Sequence, residues 1–129
     1  MMKRTHIAVG LAGTLPLIVK DPVTAVGVVG AIAPDFDILL GIKHRSITHS
    51  FLAAGVTTLL IAPVNINLSI IWCINYMLHL LLDGATVTGV PLLYPKKKRY
   101  GIKKIKTRGA EDYFIQILAI AFICLVYIA

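Results

Sequence analysis

The feature that most constrains this chain is a series of five apolar segments separated by short charged or turn-forming stretches. The segments cover approximately residues 7–19, 23–40, 51–64, 68–82 and 113–129. None of them shows the sustained polar alternation of a half-buried strand, and an open sheet edge cannot lie in lipid. The pattern therefore predicts one all-α domain over residues 1–129, folded as a polytopic membrane bundle of about five helices.

Composition favours lipid over water as the solvent of this bundle. Hydrophobic residues make up 57% of the chain and charged residues 15%, with a mean hydropathy of +0.83. Typical soluble domains are about 45–50% apolar and about 25% charged, so this chain has too few polar side chains to cover a globule in water. Several segments are shorter than the ~20 residues that cross a bilayer without tilt, which requires flanking residues or local thinning of the membrane.

Positive charge predicts the orientation of the segments. The net charge is +7, and eight of the thirteen basic residues lie between Lys96 and Arg108. No nucleic-acid-binding motif or aromatic interleaving accompanies them, so we expect no nucleic-acid partner and interpret this loop as a cytoplasmic anchor beside anionic membrane lipids. The positive-inside rule then places residues 41–50 and 84–110 on the cytoplasmic side of a bacterial inner membrane, which the chain crosses several times.

Under this topology, histidines and aspartates from four segments gather at the cytoplasmic ends of the helices. Asp35 and Asp37 lie near a helix C-terminus, where the helix dipole disfavours negative charge, and a bound cation would relieve their mutual repulsion. His79 and Asp83 stand at i and i+4, on one face of a helix. The candidate metal-binding residues are His6, Asp35, Asp37, His44, His49, His79 and Asp83.

The loop between the second and third segments adds two further features. Arg45 has a planar guanidinium that suits phosphate or carboxylate recognition, although contact with lipid headgroups is an equally simple role. Ser46 or Thr48 could cap the third helix. Simpler roles also stay open for the ionisable residues, namely anchoring at the membrane interface or hydrogen-bonded pairing inside a helix bundle.

The mixture of donors narrows the choice of metal. Imidazole and carboxylate together suit Zn²⁺, Mn²⁺ or Fe²⁺ better than Ca²⁺ or Mg²⁺, and zinc is our first choice. The seven candidate donors exceed the four of a structural zinc site, which favours two or more divalent ions. Two ions a few Å apart are suited to the hydrolysis of phosphoesters.

Four short motifs, in this order along the chain, carry a resemblance to a known family. They are Thr5-His6 with Gly10, Pro34-Asp35-Phe36-Asp37, His44-Arg45-x-x-Thr48-His49-Ser50, and His79-x-x-x-Asp83-x-x-Thr86-x-x-Gly89 followed by Pro91 and Tyr94-Pro95. Together they resemble the YdjM family of LexA-binding, inner-membrane-associated, metal-dependent hydrolases, which is distantly similar to the zinc-dependent phospholipases C. The resemblance runs from His6 to about Glu111 and implies that the same seven residues hold the metal.

Two departures from the family pattern stand at the site. Ile38 occupies a position where family members often have a histidine, so this chain has one donor fewer. Lys43 and Ser46 stand where glycines often flank the His-Arg pair. The resemblance therefore implies the chemistry of the site without fixing the number of ions.

These observations favour a membrane-bound, metal-dependent hydrolase that acts on a phosphoester or lipid headgroup at the cytoplasmic membrane surface. Asp35 or Asp37 would be the catalytic base, and Arg45 would hold the anionic headgroup. The alternative is a non-catalytic metal-binding scaffold or regulatory protein in the membrane, which the spacing of the donors leaves open. A metal carrier is disfavoured, because carriers place their ligands near the bilayer midplane.

Overall fold

The apolar segments fold into helices of two kinds. The computed structural model describes residues 1–128, residue 127 by its backbone alone. The α-helices are α1 (Lys3–Lys20), α2 (Phe51–Ile61), α3 (Ile66–Ala85) and α4 (Ala110–Ile128), and the 3-10 segments are Pro22–Ala31, Ala33–Asp37 and Ile47–His49. Strand pairing within residues 1–128 is limited to two isolated bridges, Thr86 with Ile105 and Val90 with Tyr100. The prediction of an all-α fold is therefore confirmed.

The prediction was wrong in detail for the second apolar segment, which is not an α-helix. It consists of two 3-10 stretches joined at Ile32, whose φ and ψ are -124° and -4°. The narrower 3-10 coil lets the backbone at Gly30 approach α3 closely, since an added Cβ would lie 2.6 Å from the carbonyl oxygen of Trp72. Valines along the segment also weaken its preference for the α-helix, because their β-branched side chains are restricted there.

The cap of α2 also differs from the prediction. Ser50 caps this helix, because its Oγ accepts a hydrogen bond of 3.3 Å from the backbone N–H of Ala53. Neither Ser46 nor Thr48 has this role, and the Thr48 hydroxyl donates instead to the carboxylate of Asp37. The loop before α2 is thereby tied to the end of the second apolar segment.

Polar side chains are buried and apolar side chains are exposed to an unusual degree. Among the described residues, 14 polar or charged residues are buried, against 12 hydrophobic ones. Large apolar side chains that are more than half exposed include Val19, Leu59, Leu60, Leu81, Ile117 and Leu125. Such a surface is typical of a protein whose outer face contacts lipid. Within residues 1–128, one helix, Ile66–Ala85, is both long and apolar enough to cross a bilayer.

Helix α3 is the central element of the fold. It packs against α1, α2 and the 3-10 segment Pro22–Ala31, whereas α4 packs on α1. The C-terminal end of α3, the N-terminal end of α1 and the loop before α2 meet at one end of the molecule. Tyr76 of α3 helps to hold that loop, since its hydroxyl donates a 2.6 Å hydrogen bond to the carbonyl oxygen of Thr48.

Asp112 ties the start of α4 to the start of α1. Its fully buried carboxylate accepts hydrogen bonds from the Thr5 hydroxyl at 2.6 Å, the Arg108 backbone N–H at 2.9 Å and the Met2 backbone N–H at 3.1 Å. Burial alone would raise the pKa of Asp112, but these hydrogen bonds favour the ionised form and hold the pKa below its ordinary value of 3.8. The contact also closes the basic loop, because Arg108 lies at its end.

We expect Asp112→Asn to lower the free energy of unfolding by about 1–3 kcal/mol, because an amide would replace a carboxylate that three donors satisfy. The stabilising effect of the carboxylate should be complete above about pH 5 and should be lost as the pH falls through the lowered pKa. The measurement is the thermal unfolding midpoint of both proteins in detergent across the acid range. An equal acid dependence of the two midpoints would contradict this role.

Candidate metal centre

The histidines and aspartates predicted from the sequence lie at the same end of the molecule, on α1, the second 3-10 segment, the loop before α2 and α3. Asp35, His49, His79 and Asp83 form one compact group, hereafter the four-residue group. Each of them offers one ligand atom, these atoms lie within 4.8 Å of one another, and all four residues are buried. The group can therefore hold a metal ion.

The separations within the four-residue group match the size of a tetrahedral zinc site. The Nε2 atoms of His49 and His79 are 3.3 Å apart, and each is 3.4 Å from Asp83 Oδ2. Asp35 Oδ1 lies 3.6 Å and 3.7 Å from the same two nitrogens. Donors placed about 2.0–2.1 Å from a tetrahedral ion are about 3.3–3.4 Å apart, so His49, His79 and Asp83 already have the required spacing, and Asp35 would have to move closer to the two imidazoles.

A backbone carbonyl orients His79 toward this group. His79 Nδ1 lies 2.7 Å from the carbonyl oxygen of Ala31, which can only accept, so Nδ1 carries the hydrogen and donates it. The other ring nitrogen, Nε2, is then an acceptor directed at the four-residue group. A hydrogen bond from the far ring nitrogen to a carbonyl is the usual support of a metal-binding histidine.

His49 is oriented in a similar way, by Thr48 of its own loop and Asp37 of the second 3-10 segment. The Thr48 hydroxyl donates to Asp37 Oδ2 at 2.9 Å, which leaves its oxygen to accept from His49 Nδ1 at 3.1 Å. The Nε2 lone pairs of His49 and His79 thus face each other at 3.3 Å. Two acceptors at this distance repel each other unless a proton or a metal ion lies between them.

The local charge also favours a cation at this point. Burial lowers the pKa of His49, but the carboxylates of Asp35 and Asp83 raise it, and the net direction is upward from its ordinary value. Asp37 adds a third buried carboxylate at this end of the molecule. A divalent ion would offset part of this buried negative charge.

Asp37 and His44 lie beside the four-residue group and not within it. Asp37 accepts hydrogen bonds from the Thr48 hydroxyl at 2.9 Å, from His44 Nδ1 at 3.0 Å and from the Arg45 backbone N–H at 3.1 Å. The side chain of His44 is 42% exposed, and its Nε2 is 4.0 Å from Asp35 Oδ1. Asp37, His44 and His49 form a second group of candidate donors. Because three donors already satisfy Asp37, its main effect is to fix the loop.

His6 and Arg45 contact the four-residue group from outside, through Asp83. His6 Nε2 lies 3.1 Å from Asp83 Oδ1, and its Nδ1 is buried with no hydrogen-bond partner among the described residues. The His6 ring stacks on that of His79, with centroids 3.9 Å apart. Arg45 Nη2 is 3.3 Å from Asp83 Oδ2, and the Met1 amino group is 2.5 Å from Oδ1. His6 and Arg45 therefore position the Asp83 carboxylate.

A cavity of about 690 Å³ opens beside the group, and Asp35, His44 and Asp83 form part of its wall. The basic side chains that line it are Lys3, Arg4, Arg45 and Arg108. These cations outnumber the two carboxylates of the wall, so the cavity suits an anionic ligand.

Comparison with known protein families identifies the family of this chain. The model of the YdjM inner membrane protein covers residues 1–129. This chain belongs to the YdjM family. The resemblance predicted from the motifs is therefore confirmed, and it places the chain in a family of inner membrane proteins. No curated protein and no solved structure gave a significant match.

In this YdjM family member, Ile38 stands where the resemblance implies a histidine. Its side chain is 56% exposed and lines the cavity. The four-residue group is complete without a donor at this position, so the departure changes the cavity wall and leaves the group intact.

Three contributors to the site were not predicted from the sequence: the hydroxyls of Thr48 and Thr86 and the carbonyl of Ala31. The Thr86 hydroxyl accepts from Arg45 Nη1 at 2.9 Å and donates to the carbonyl oxygen of Asp83 at 2.6 Å. Both threonines belong to the motifs that carry the YdjM resemblance, and this was the available signal. The carbonyl of Ala31 has no signal in the sequence, because every residue has one.

We expect His79→Ala to abolish stoichiometric metal binding, because it removes one of four donors. Thr48→Val should weaken metal binding by about 10–100-fold, the usual effect of losing a group that orients a ligand. The measurements are the metal content of protein purified in detergent, and the metal affinity in competition with a chelator.

Thr58→Val is the matched control, since the Thr58 hydroxyl donates to the carbonyl oxygen of Ala54 within α2, and Thr58 belongs to neither group of candidate donors. Absence of stoichiometric metal from the wild-type protein, or an unchanged metal content in His79→Ala, would show that the four-residue group is not a metal-binding site. An equal effect of the two threonine variants would show that Thr48 does not orient His49.

Proposed function

We propose that this YdjM family protein is a metal-dependent hydrolase that cleaves a phosphoester, such as that of a lipid headgroup, at the cytoplasmic face of the inner membrane. The observation that carries the proposal is the buried four-residue group beside a cavity with basic walls. Catalytic zinc sites keep one coordination position for water or substrate, and the cavity beside Asp35, the donor farthest from the two imidazoles, would give access to that position, which supports a catalytic role.

Asp35, His49, His79 and Asp83 would hold the divalent ion, with zinc the first choice among zinc, manganese and iron. When bound, the ion would supply Lewis acidity for the attack of water on phosphorus. Asp35 is the donor most available to the substrate, because it lines the cavity and its nearest imidazole nitrogen is 3.6 Å away. Asp37, which the sequence suggested equally as a base, is occupied by three hydrogen-bond donors.

His44 is the group best placed to move a proton at the cavity wall. Its Nδ1 donates to Asp37 Oδ1 at 3.0 Å, which leaves Nε2 as an acceptor near Asp35. An aspartate that fixes one ring nitrogen while the other faces the reacting groups is the usual arrangement of a general base or acid. We assign to His44 this proton transfer in place of the metal-binding role expected from the sequence.

The cationic wall of the cavity would bind the anionic part of the substrate. Lys3, Arg4 and Arg108 are exposed residues that line the cavity, and they are free to follow a phosphate group. Arg45 is held by Asp83 and Thr86, so within this cavity it positions Asp83 and does not bind the substrate phosphate.

We also propose that the chain crosses the membrane several times, as a site on the cytoplasmic side requires under the predicted topology. At about 2.0 Å per residue, the 3-10 stretches from Pro22 to Asp37 would extend about 32 Å, which is comparable to the ~30 Å hydrocarbon core. The exposed apolar side chains of α4, Ile117 and Leu125 among them, suit contact with lipid. Helix α2 has 11 residues, so it would cross the bilayer only with the help of the apolar turn that follows it and of local thinning of the membrane.

Turnover tests the proposal most directly. The purified protein should release the headgroup from a phospholipid, or cleave a generic phosphodiester, and a chelator should abolish the reaction. His44→Gln should retain the metal and lower kcat by about 10²–10⁴-fold, the range expected when one proton-transfer group is removed. Metal content and steady-state rates are measured on the same preparations.

Stoichiometric metal with no turnover on any of these substrates would contradict the hydrolase and favour a metal-binding scaffold in the membrane. Loss of metal in His44→Gln would instead show that His44 is a metal ligand, as predicted from the sequence.

Cysteine labelling tests the topology. In a background with Cys73 and Cys124 replaced by serine, Lys98→Cys should react with a membrane-impermeant maleimide only after the cells are permeabilised. Val64→Cys is the control for the opposite side, because it is 81% exposed in the turn before α3. The reverse pattern of labelling would overturn the proposed orientation.

A further inference from the structure

A second cavity, of about 200 Å³, lies between the loop before α2 and the basic loop. Cationic side chains of Lys43, Arg45, Lys97 and Arg99 line it, together with Ser46 and Tyr94. None of its lining residues is acidic. It is therefore a concave surface of one sign of charge, distinct from the larger cavity beside the four-residue group.

Among the described residues, three of the four cations that line this cavity have no carboxylate partner. Within residues 1–128, Lys43, Lys97 and Arg99 form no ion pair, whereas Arg45 is paired with Asp83. Like charges gathered around one concavity repel each other and raise the local concentration of anions. An anion bound among them would relieve that repulsion.

The backbone at Gly89 brings the two guanidinium groups together. Its carbonyl oxygen accepts from Arg45 Nη1 at 3.4 Å and from Arg99 Nη1 at 3.5 Å. Gly89 has a φ of +63°, and an added Cβ would lie 2.8 Å from the carbonyl oxygen of Tyr100. Glycine is therefore required for this turn, and the turn fixes where the two arginines meet.

We propose that this cavity binds the phosphate group of an anionic phospholipid, at a site separate from the candidate metal centre and coupled to it through Arg45. Guanidinium groups match phosphate oxygens in planar, bidentate fashion, and the two lysines add positive charge. The volume is below the about 300–1,000 Å³ of cavities that take drug-sized ligands, so it suits a headgroup and leaves the acyl chains outside. Ile42 and Leu93, each next in sequence to a residue that lines the cavity, are exposed apolar side chains that suit the acyl region of that lipid.

Arg45 couples the two cavities because it lines both of them. Its Nη2 is 3.3 Å from Asp83 Oδ2, the oxygen that also faces His49 and His79. An anion in the second cavity attracts the guanidinium and weakens its hold on Asp83, which leaves that oxygen freer for a metal ion. Anionic lipid should therefore raise the metal affinity, and by linkage metal should raise the lipid affinity.

The experiment uses metal-free protein in detergent micelles and three probes: phosphatidylglycerol, phosphatidylcholine and inorganic phosphate. Native mass spectrometry or calorimetry measures binding to the wild type, to Lys43→Ala/Lys97→Ala, and to a matched double variant of the basic loop, Lys104→Ala/Lys106→Ala. All four lysines are exposed, and neither of the control lysines lines this cavity. The unfolding midpoint of each variant checks that it folds.

We expect phosphatidylglycerol to bind and phosphatidylcholine not to, with an affinity about tenfold or more weaker in Lys43→Ala/Lys97→Ala than in the control. Equal losses in the two double variants would overturn the site, since they would indicate diffuse attraction to the basic loop. Saturation by inorganic phosphate with no preference for phosphatidylglycerol would overturn the proposal that the ligand is a lipid, and would identify free phosphate as the ligand.

The coupling has its own measurement, the affinity of the protein for Zn²⁺ with and without phosphatidylglycerol. We expect a gain of about fivefold or more in the wild type and in the Lys104→Ala/Lys106→Ala control, and none in Lys43→Ala/Lys97→Ala. Lipid binding at the cavity with an unchanged Zn²⁺ affinity would overturn the coupling through Arg45.

Discussion

The burial of aspartate carboxylates at one end of an apolar bundle is the constraint on which the rest of this structure depends. An ionised carboxylate away from water is strongly unfavourable unless donors or cations surround it. Asp37 is satisfied by donors of the loop before α2, and Asp83 by His6 and Arg45. Within residues 1–128, the nearest partners of the Asp35 carboxylate are the imidazole nitrogens of His49 and His79, 3.6 Å or more from Oδ1. Asp35 is therefore the carboxylate of this end that is most available to bind a cation.

The gathering of the donors could be predicted because it follows from topology and helix periodicity. The distribution of positive charge predicted which segment ends would share a side, and the i, i+4 spacing of His79 and Asp83 predicted that both lie on one helix face. The separate roles of the candidate donors could not be predicted, since each role depends on which side chains contact which carboxylate oxygen. Asp35 and Asp37 are two residues apart, yet one joins the four-residue group and the other fixes the loop.

The secondary structure of the second apolar segment escaped prediction for a similar reason. A run of valine, alanine and glycine with one threonine, between Pro22 and Ala31, is equally consistent with an α-helix or a tighter coil. What decides between them is the close approach to α3 at Gly30, a tertiary contact that the local pattern does not contain. The 3-10 coil also carries the carbonyl of Ala31 to His79 Nδ1. The same local geometry therefore serves the packing and the candidate metal centre.

The geometry also bears on how many ions the protein can hold. The sequence favoured two or more, because seven donors are available. In the structure, His49 belongs to both candidate groups, and its Nδ1 is engaged by Thr48. A second ion between Asp37 and His44 would have to displace the hydrogen bonds that shape the loop and orient His49. We therefore expect the protein to hold one ion. Under the proposed function, His44 would then carry out the proton transfer that a second ion could otherwise assist.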